Sequence, residues 1–207
     1  RSGLRTEALL TRMSTPLGRR IGNASEVQES LETLKGRGPA DLEALSVRLA
    51  ARMLVLAGVA TATEAEPQVR EALSSGRGLQ KFAEIIEAQG GDPRVVDDAS
   101  RLPLAGGEHL VRAPRAGIVQ RLDAGALGHA AVVLGAGRDH MDAVIDPGAG
   151  IDVLAPEGTT VAAGDPVLRV WYRDDVRLAH ALTRLDAACV IGDDAPAAVP
   201  LVLETIE

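Results

Sequence analysis

Four histidines, one cysteine and a few glycine-containing runs are the residues of this 207-residue chain whose types could do chemistry. His109, His129, His140 and His180 would serve metal ligation or acid–base work. No two of them stand at the i, i+4 spacing that turns a pair of helical imidazoles toward one zinc ion. His140 is the best placed, in RDHMDAVID beside Asp139 and Asp142, and that run reads as a surface turn. Cys189 is the only cysteine, which excludes an intramolecular disulfide and a cysteine-based metal cluster. Inside the apolar run AACVIG it reads as a small buried hydrophobe. LGAGR (Leu134–Arg138) lacks the further glycine or the Gly-Lys-Ser/Thr of a phosphate loop, so it reads as a helix C-cap running into a turn. No Ser-His-Asp or Cys-His arrangement follows from the spacing. The residues by themselves assign no catalytic and no substrate-binding group.

One run carries a stronger pattern. GTTVAAGDPVLRV has the spacing G-x-x-V-x-x-G-D-x-x-L, the hairpin-rich half of a barrel-sandwich module of the biotinyl or lipoyl carrier type. Gly158 and Gly164 would make the turns, and Val161, Val167 and Val170 would point inward by two-residue alternation. A swinging-arm carrier needs an exposed lysine, and no lysine follows Lys81. The module is therefore expected as a scaffold.

The elements that must position these residues fall into two parts. RTEALLT (5–11) reads as a short strand with no neighbour nearby to satisfy its backbone. Four helices follow. A Ser25/Gln28 capping box opens the first, with Val27, Leu31 and Leu34 on one face and Gly36 as the stop. Pro39 opens the second, whose Leu42, Leu45, Leu49, Met53 and Leu56 keep helical spacing to Gly58. A Thr63/Glu66 box opens the third, which ends near Gly76. Leu79, Phe82, Ile85 and Ile86 mark the fourth, closed by Gly90-Gly91. The character changes over Pro103–Gly107. HLVRA, GIVQRLD and GIDVLAPEGTTVAAGDPVLRVWY then read as strands, interrupted by the helical runs ALGHAAVVLGAG and DDVRLAHALTRLDAACVIG, the latter with Val176, Ala179, Leu182 and Leu185 on one face. VPLVLETI reads as a final strand. The predicted fold class is α/β (α+β), a helical half over residues 1–103 and a β-rich half over 104–207.

Composition bounds the partners. A formal net charge of −7 and single Phe82, Trp171 and Tyr172 residues leave neither the basic groove nor the stacking platforms of a single-strand binder, so no nucleic-acid partner is expected. No apolar stretch approaches the roughly 20 residues of a membrane span and no signal peptide is visible, so no membrane and a cytoplasmic location are expected. The core must be built from Leu, Val, Ile and Ala.

Read together, several motifs change the functional picture. TEALLTRMSTPLGRRIGNASEVQESLETLKGRGPADL closely resembles a segment of the thymidine and pyrimidine nucleoside phosphorylases, with the pattern T-x-A-L-L-T-D-M-x-x-P-L-G-x-x-x-G-N-A-x-E-V-x-E-A. ALGHAAVVLGAGR, the Ile145-Asp146…Gly150-Ile151 run and GTTVAAGDPVLRV resemble that family's C-terminal domain, in the same order. The resemblance implies a pentosyltransferase that phosphorolyses a pyrimidine (deoxy)nucleoside reversibly to base and (deoxy)ribose 1-phosphate, with phosphate as co-substrate and no organic cofactor. It implies a helical part packed on a mixed sheet, then a barrel-sandwich-like domain. It places the phosphate and base sites upstream of this segment, so the chain is expected to be the C-terminal portion of a homodimeric enzyme and inactive alone. It also implies a structural potassium or calcium ion, held by the carbonyls of Leu17 and Arg20 and the carboxylate of Glu29. Arg12 stands where the pattern has Asp, and Arg20 where the family has a small residue. The alternative is a non-catalytic scaffold protein that retains the phosphorylase C-terminal fold.

Overall fold

The computed structural model describes Gly3 and residues 5–206. In chain order the elements are β1 (Ala8–Thr11), β2 (Arg20–Gly22), α1 (Asn23–Leu34), α2 (Ala40–Leu56), α3 (Ala62–Ser74) and α4 (Arg77–Ala88). Short 3-10 turns at Pro93–Val96 and Ala99–Arg101 lead to β3 (Gly107–Arg112), β4 (Gly117–Leu122), α5 (Ala124–Leu134), β5 (Gly150–Val153) and β6 (Thr160–Val161). The chain ends with β7 (Pro166–Tyr172), α6 (Asp175–Leu185), β8 (Cys189–Gly192) and β9 (Val202–Ile206). The fold is mixed α/β. Its sheets are ordered β1-β9, β2-β5-β7-β3 and β6-β4-β8, and none of them closes into a barrel among the described residues. Contacts divide the chain into two units. One holds Arg1–Arg12, Ser30–Ala99 and Val199–Glu207; the other holds Met13–Glu29 and Ser100–Ala198.

The first unit is mainly helical. A mixed sheet under its helices is expected from the family resemblance, but every strand pair among the described residues is antiparallel. The N-terminal strand is not an orphan either. β1 pairs with β9, Ala8 opposite Ile206 and Leu10 opposite Glu204, and the Arg12 N–H extends the ladder to the Leu201 carbonyl at 3.0 Å. The distant C-terminus therefore supplies the backbone partners that no nearby residue offers.

Among the first four helices, orientation and capping differ from the expectation in three places. α2 buries Val47 and Ala51 and leaves Met53 68% exposed, so the face of smaller residues turns inward where α2 meets α3. The capping box of α3 forms two residues early, with the Thr61 N–H and hydroxyl both donating to Glu64 Oε2, at 3.1 and 2.7 Å. α1 begins at Asn23, before Ser25, whose Oγ is buried without a partner among the described residues. Glu26 accepts the Gly22 N–H at 3.0 Å there instead. The stops are as expected: Gly36, Gly58, Gly76 and Gly90 have φ between 69° and 81°, where only glycine is unstrained.

In the second unit, two antiparallel sheets and the pair α5–α6 enclose one apolar core of Val, Leu, Ile and Ala. Val119, Leu122, Leu127, Ile151, Leu168 and Leu185 are fully buried, each side chain contributing about 1.5–3 kcal/mol. Val161, Val167 and Val170 face inward, and Gly158 and Gly164 turn the chain at φ +86° and +90°. Asp123 and Asp174 cap α5 and α6 by accepting from Ala126 N and Arg177 N, both at 2.9 Å. α6 is rotated from the expected face: Leu178, Ala181 and Leu185 are buried, while Val176 is 65% exposed. The helix also stops at Leu185. Cys189–Gly192 is a strand on β4, Ile191 opposite Val119, because β-branched residues suit a ladder edge better than a continued helix. Cys189 itself is half-buried, and burial raises its thiol pKa.

Candidate functional site

The segment from Met13 to Glu29 is pinned to its unit at several points. One oxygen, Glu157 Oε1, accepts both from the Thr15 hydroxyl at 3.0 Å and from Leu122 N at 2.9 Å. Ser14 O accepts from Ala124 N at 3.1 Å, and Arg19 O accepts from Val153 N at 2.7 Å. Arg20–Gly22 then form β2, with Arg20 opposite Asp152 and Gly22 opposite Gly150. The Asn23 amide donates to Ala136 O at 2.7 Å as the helix begins.

Within this frame Glu29 points back from α1 at the turn it follows. Its side chain lies in a residue only 6% exposed, and Oε1 accepts the Arg19 N–H at 2.8 Å. Gly18 has φ +70° and is buried against the same carboxylate, so that a Cβ there would collide with Glu29 Oε2. The Arg19 guanidinium donates to the Gly18 carbonyl at 2.8 Å, and Arg20 donates to Gln28 Oε1. Burial raises the Glu29 pKa; the Arg19 and Arg20 amides and the charges of both guanidiniums oppose that rise without cancelling it. Leu17, immediately before Gly18, is 38% exposed. The structure thus sets Glu29 against Gly18–Arg20.

The histidines do not gather. His109 is on β3, His129 on α5 and His180 on α6; His140 lies in an exposed turn with Nδ1 2.6 Å from Asp139 Oδ1, a contact that lowers the Asp139 pKa. Among the described residues no three His, Cys, Asp or Glu side chains come together as a metal site. A cation near Glu29 would depend on backbone oxygens.

Two polar groupings carry no chemical role in the sequence reading, although Asp146 lies in one of its motifs. Asp152, 8% exposed, accepts the Trp171 indole N–H at 2.9 Å, and the Arg169 guanidinium lies 5.5 Å from the Trp171 ring centroid. Alternation with Ile151, Val153 and Val170 was the available signal, since it sends Asp152, Arg169 and Trp171 to the face opposite the core. Asp146 accepts from Arg173 Nε at 2.8 Å and Gly148 N at 3.0 Å, and these bonds hold its carboxyl below the usual range.

Comparison with known proteins agrees with the motifs. Residues 118–192 match the pyrimidine nucleoside phosphorylase C-terminal domain. The pyrimidine-nucleoside phosphorylase of Bacillus subtilis (strain 168) is 42% identical over 170 residues, covering 82% of this chain and 39% of the relative. That of Staphylococcus aureus (strain USA300) is 40% identical over 193 residues, covering 92% of this chain and 44% of the relative. The chain belongs to the pyrimidine nucleoside phosphorylase family and corresponds to its C-terminal portion. It spans less than half the length of the curated relatives it matches. Among the described residues no helix is long and apolar enough to cross a membrane.

Proposed function

We propose that this chain is the C-terminal part of an enzyme that phosphorolyses pyrimidine nucleosides. In that reaction a phosphate oxygen bonds to C1′ as the C1′–N glycosidic bond breaks, and the base leaves with the bonding pair. The observation that carries this reading is identity of 40–42% over 82–92% of the chain to proteins of that name. The groups that bind phosphate and stabilise the departing base are assigned to the part of the enzyme upstream of this segment. The resemblance also carries into this reading a cytoplasmic homodimer, a helical part over 1–103, and a barrel-sandwich-type domain over 104–207.

The role read for the 13–29 segment is structural. A potassium or calcium ion would be held by the carbonyls of Leu17 and Arg20 and the carboxylate of Glu29. Support comes from Glu29 itself, a buried carboxylate whose charge the neighbouring amides and guanidiniums leave incompletely offset. A hard cation with oxygen ligands would complete that compensation and fix the turn at Gly18.

The test is base release from thymidine and uridine in phosphate, measured by chromatography. The purified 207-residue chain is expected to release no base above the buffer rate. A complete enzyme carrying this chain as its C-terminal portion is expected to turn over. Release by the chain alone would sink the assignment of the catalytic groups to the upstream part. Inactivity of the complete enzyme would sink the functional reading and favour a scaffold role.

A further inference from the structure

The face of α6 turned away from the core carries Arg177, His180 and Arg184, at i, i+3 and i+7, so the three line one side of the helix. They border a groove of about 590 Å³ whose other walls are Val133, Asp139 and Thr183. Arg177 is half-buried and oriented: its Nη1 donates to the Val133 carbonyl at 3.1 Å, which fixes the fork at one end of the groove. His180 and Arg184 have no hydrogen-bond or ion-pair partner among the described residues. The one carboxylate in the wall, Asp139, already faces His140 at 2.6 Å. In a chain of net charge −7, two arginines and a histidine sharing a groove with a single, already engaged carboxylate run against the background.

We propose that this groove binds an oxyanion of the phosphate class, with the Arg184 guanidinium and the His180 imidazole as the ligand-facing donors and Arg177 as the oriented cation behind them. Guanidinium groups match phosphate oxygens with paired N–H donors. The donors lie along the helix side and not at its N-terminus, so the side chains must carry the affinity. The ligand is either a free oxyanion or the phosphate of a phosphomonoester. The site is independent of the phosphorolysis reading, since none of its residues is assigned a part in that reaction.

Phosphorus NMR on the full 207-residue chain tests this, using inorganic phosphate and ribose 5-phosphate as probes at constant ionic strength. Saturable broadening is expected, weakened about tenfold or more in the double variant Arg184→Gln/His180→Gln. Arg48→Gln, an exposed arginine on α2, is expected to leave it unchanged, with circular dichroism confirming the fold of each variant. Tighter binding of ribose 5-phosphate would identify a phosphomonoester site; equal binding would identify a free oxyanion site. Broadening that does not saturate, that survives the double variant, or that falls equally in Arg48→Gln would overturn the proposal.

Discussion

Gly18 and Glu29 are in direct opposition: the glycine's missing side chain is the space that the buried carboxylate occupies. The turn and the helix are therefore fitted to one another at atomic contact, and Gly18→Ala violates both the positive φ and that contact. A loss of about 1–3 kcal/mol in urea unfolding is expected, larger than for alanine at an unhindered glycine. An unchanged midpoint would show that the two do not meet in solution.

Glu29 makes stability depend on pH in the opposite sense to a salt-bridged acid. Burial raises its folded pKa above the ordinary value of 4.5, so the native state holds the proton more tightly than the unfolded chain. The associated stability is complete below 4.5 and is lost as pH rises through the raised value. Wild type should therefore lose stability relative to Glu29→Gln on going from acid toward neutral pH. Potassium or calcium at the site should flatten that difference, because the ion replaces the proton. Parallel unfolding curves at every pH, with and without the salts, would contradict both statements.

Asp146 has the reverse sign. Its hydrogen bonds from Arg173 and Gly148 lower its pKa below 3.8, so the stability it contributes is present above 3.8 and is lost as pH falls through the lowered value. Asp146→Asn should lower the midpoint at neutral pH and close the gap to wild type in strong acid. Arg173 is largely exposed and solvent screens its side of the pair, so a small effect is expected.

The rotated face of α6 gives a paired test. Leu178→Ala should cost about 2–5 kcal/mol, because its side chain enters the core. Val176→Ala should stay within about 0.5 kcal/mol of wild type, since Val176 faces solvent. The reverse ranking would restore the face read from spacing.

The pairing of β1 with β9 predicts long-range protection. Glu204→Pro disrupts the ladder opposite Leu10, and amide exchange at Leu9–Thr11 should accelerate at least about tenfold. Exchange that stays slow would mean that another strand covers β1.

What could be read from the residues depended on how local the cause was. Helix stops at Gly36, Gly58, Gly76 and Gly90 and turns at Gly158 and Gly164 were legible because a positive φ is a property of one residue. The inward Val170 of β7 followed from a period of two, whereas Val167, three residues before it and equally buried, did not. Orientation of α2 and α6 was not legible, since both helices offer two apolar faces and the packing partner decides between them. The partner of β1 lies about 190 residues along the chain, beyond any spacing rule. At the candidate site, Glu29 was legible only through the family motif. Its contact with Gly18 required the backbone of β2 to be in place.

Trp171 is the chain's only tryptophan, held in β7 by Asp152 beneath an arginine. Its emission consequently reports on the β-rich unit alone, and the helical unit is spectroscopically silent at the indole band. Circular dichroism at the helical wavelengths weights the other unit. Melting followed by both signals on one sample therefore sets the β-rich unit alone against the helices of both units, without any label. Coincident curves would mean that they unfold together, and displaced curves would give the order in which they come apart.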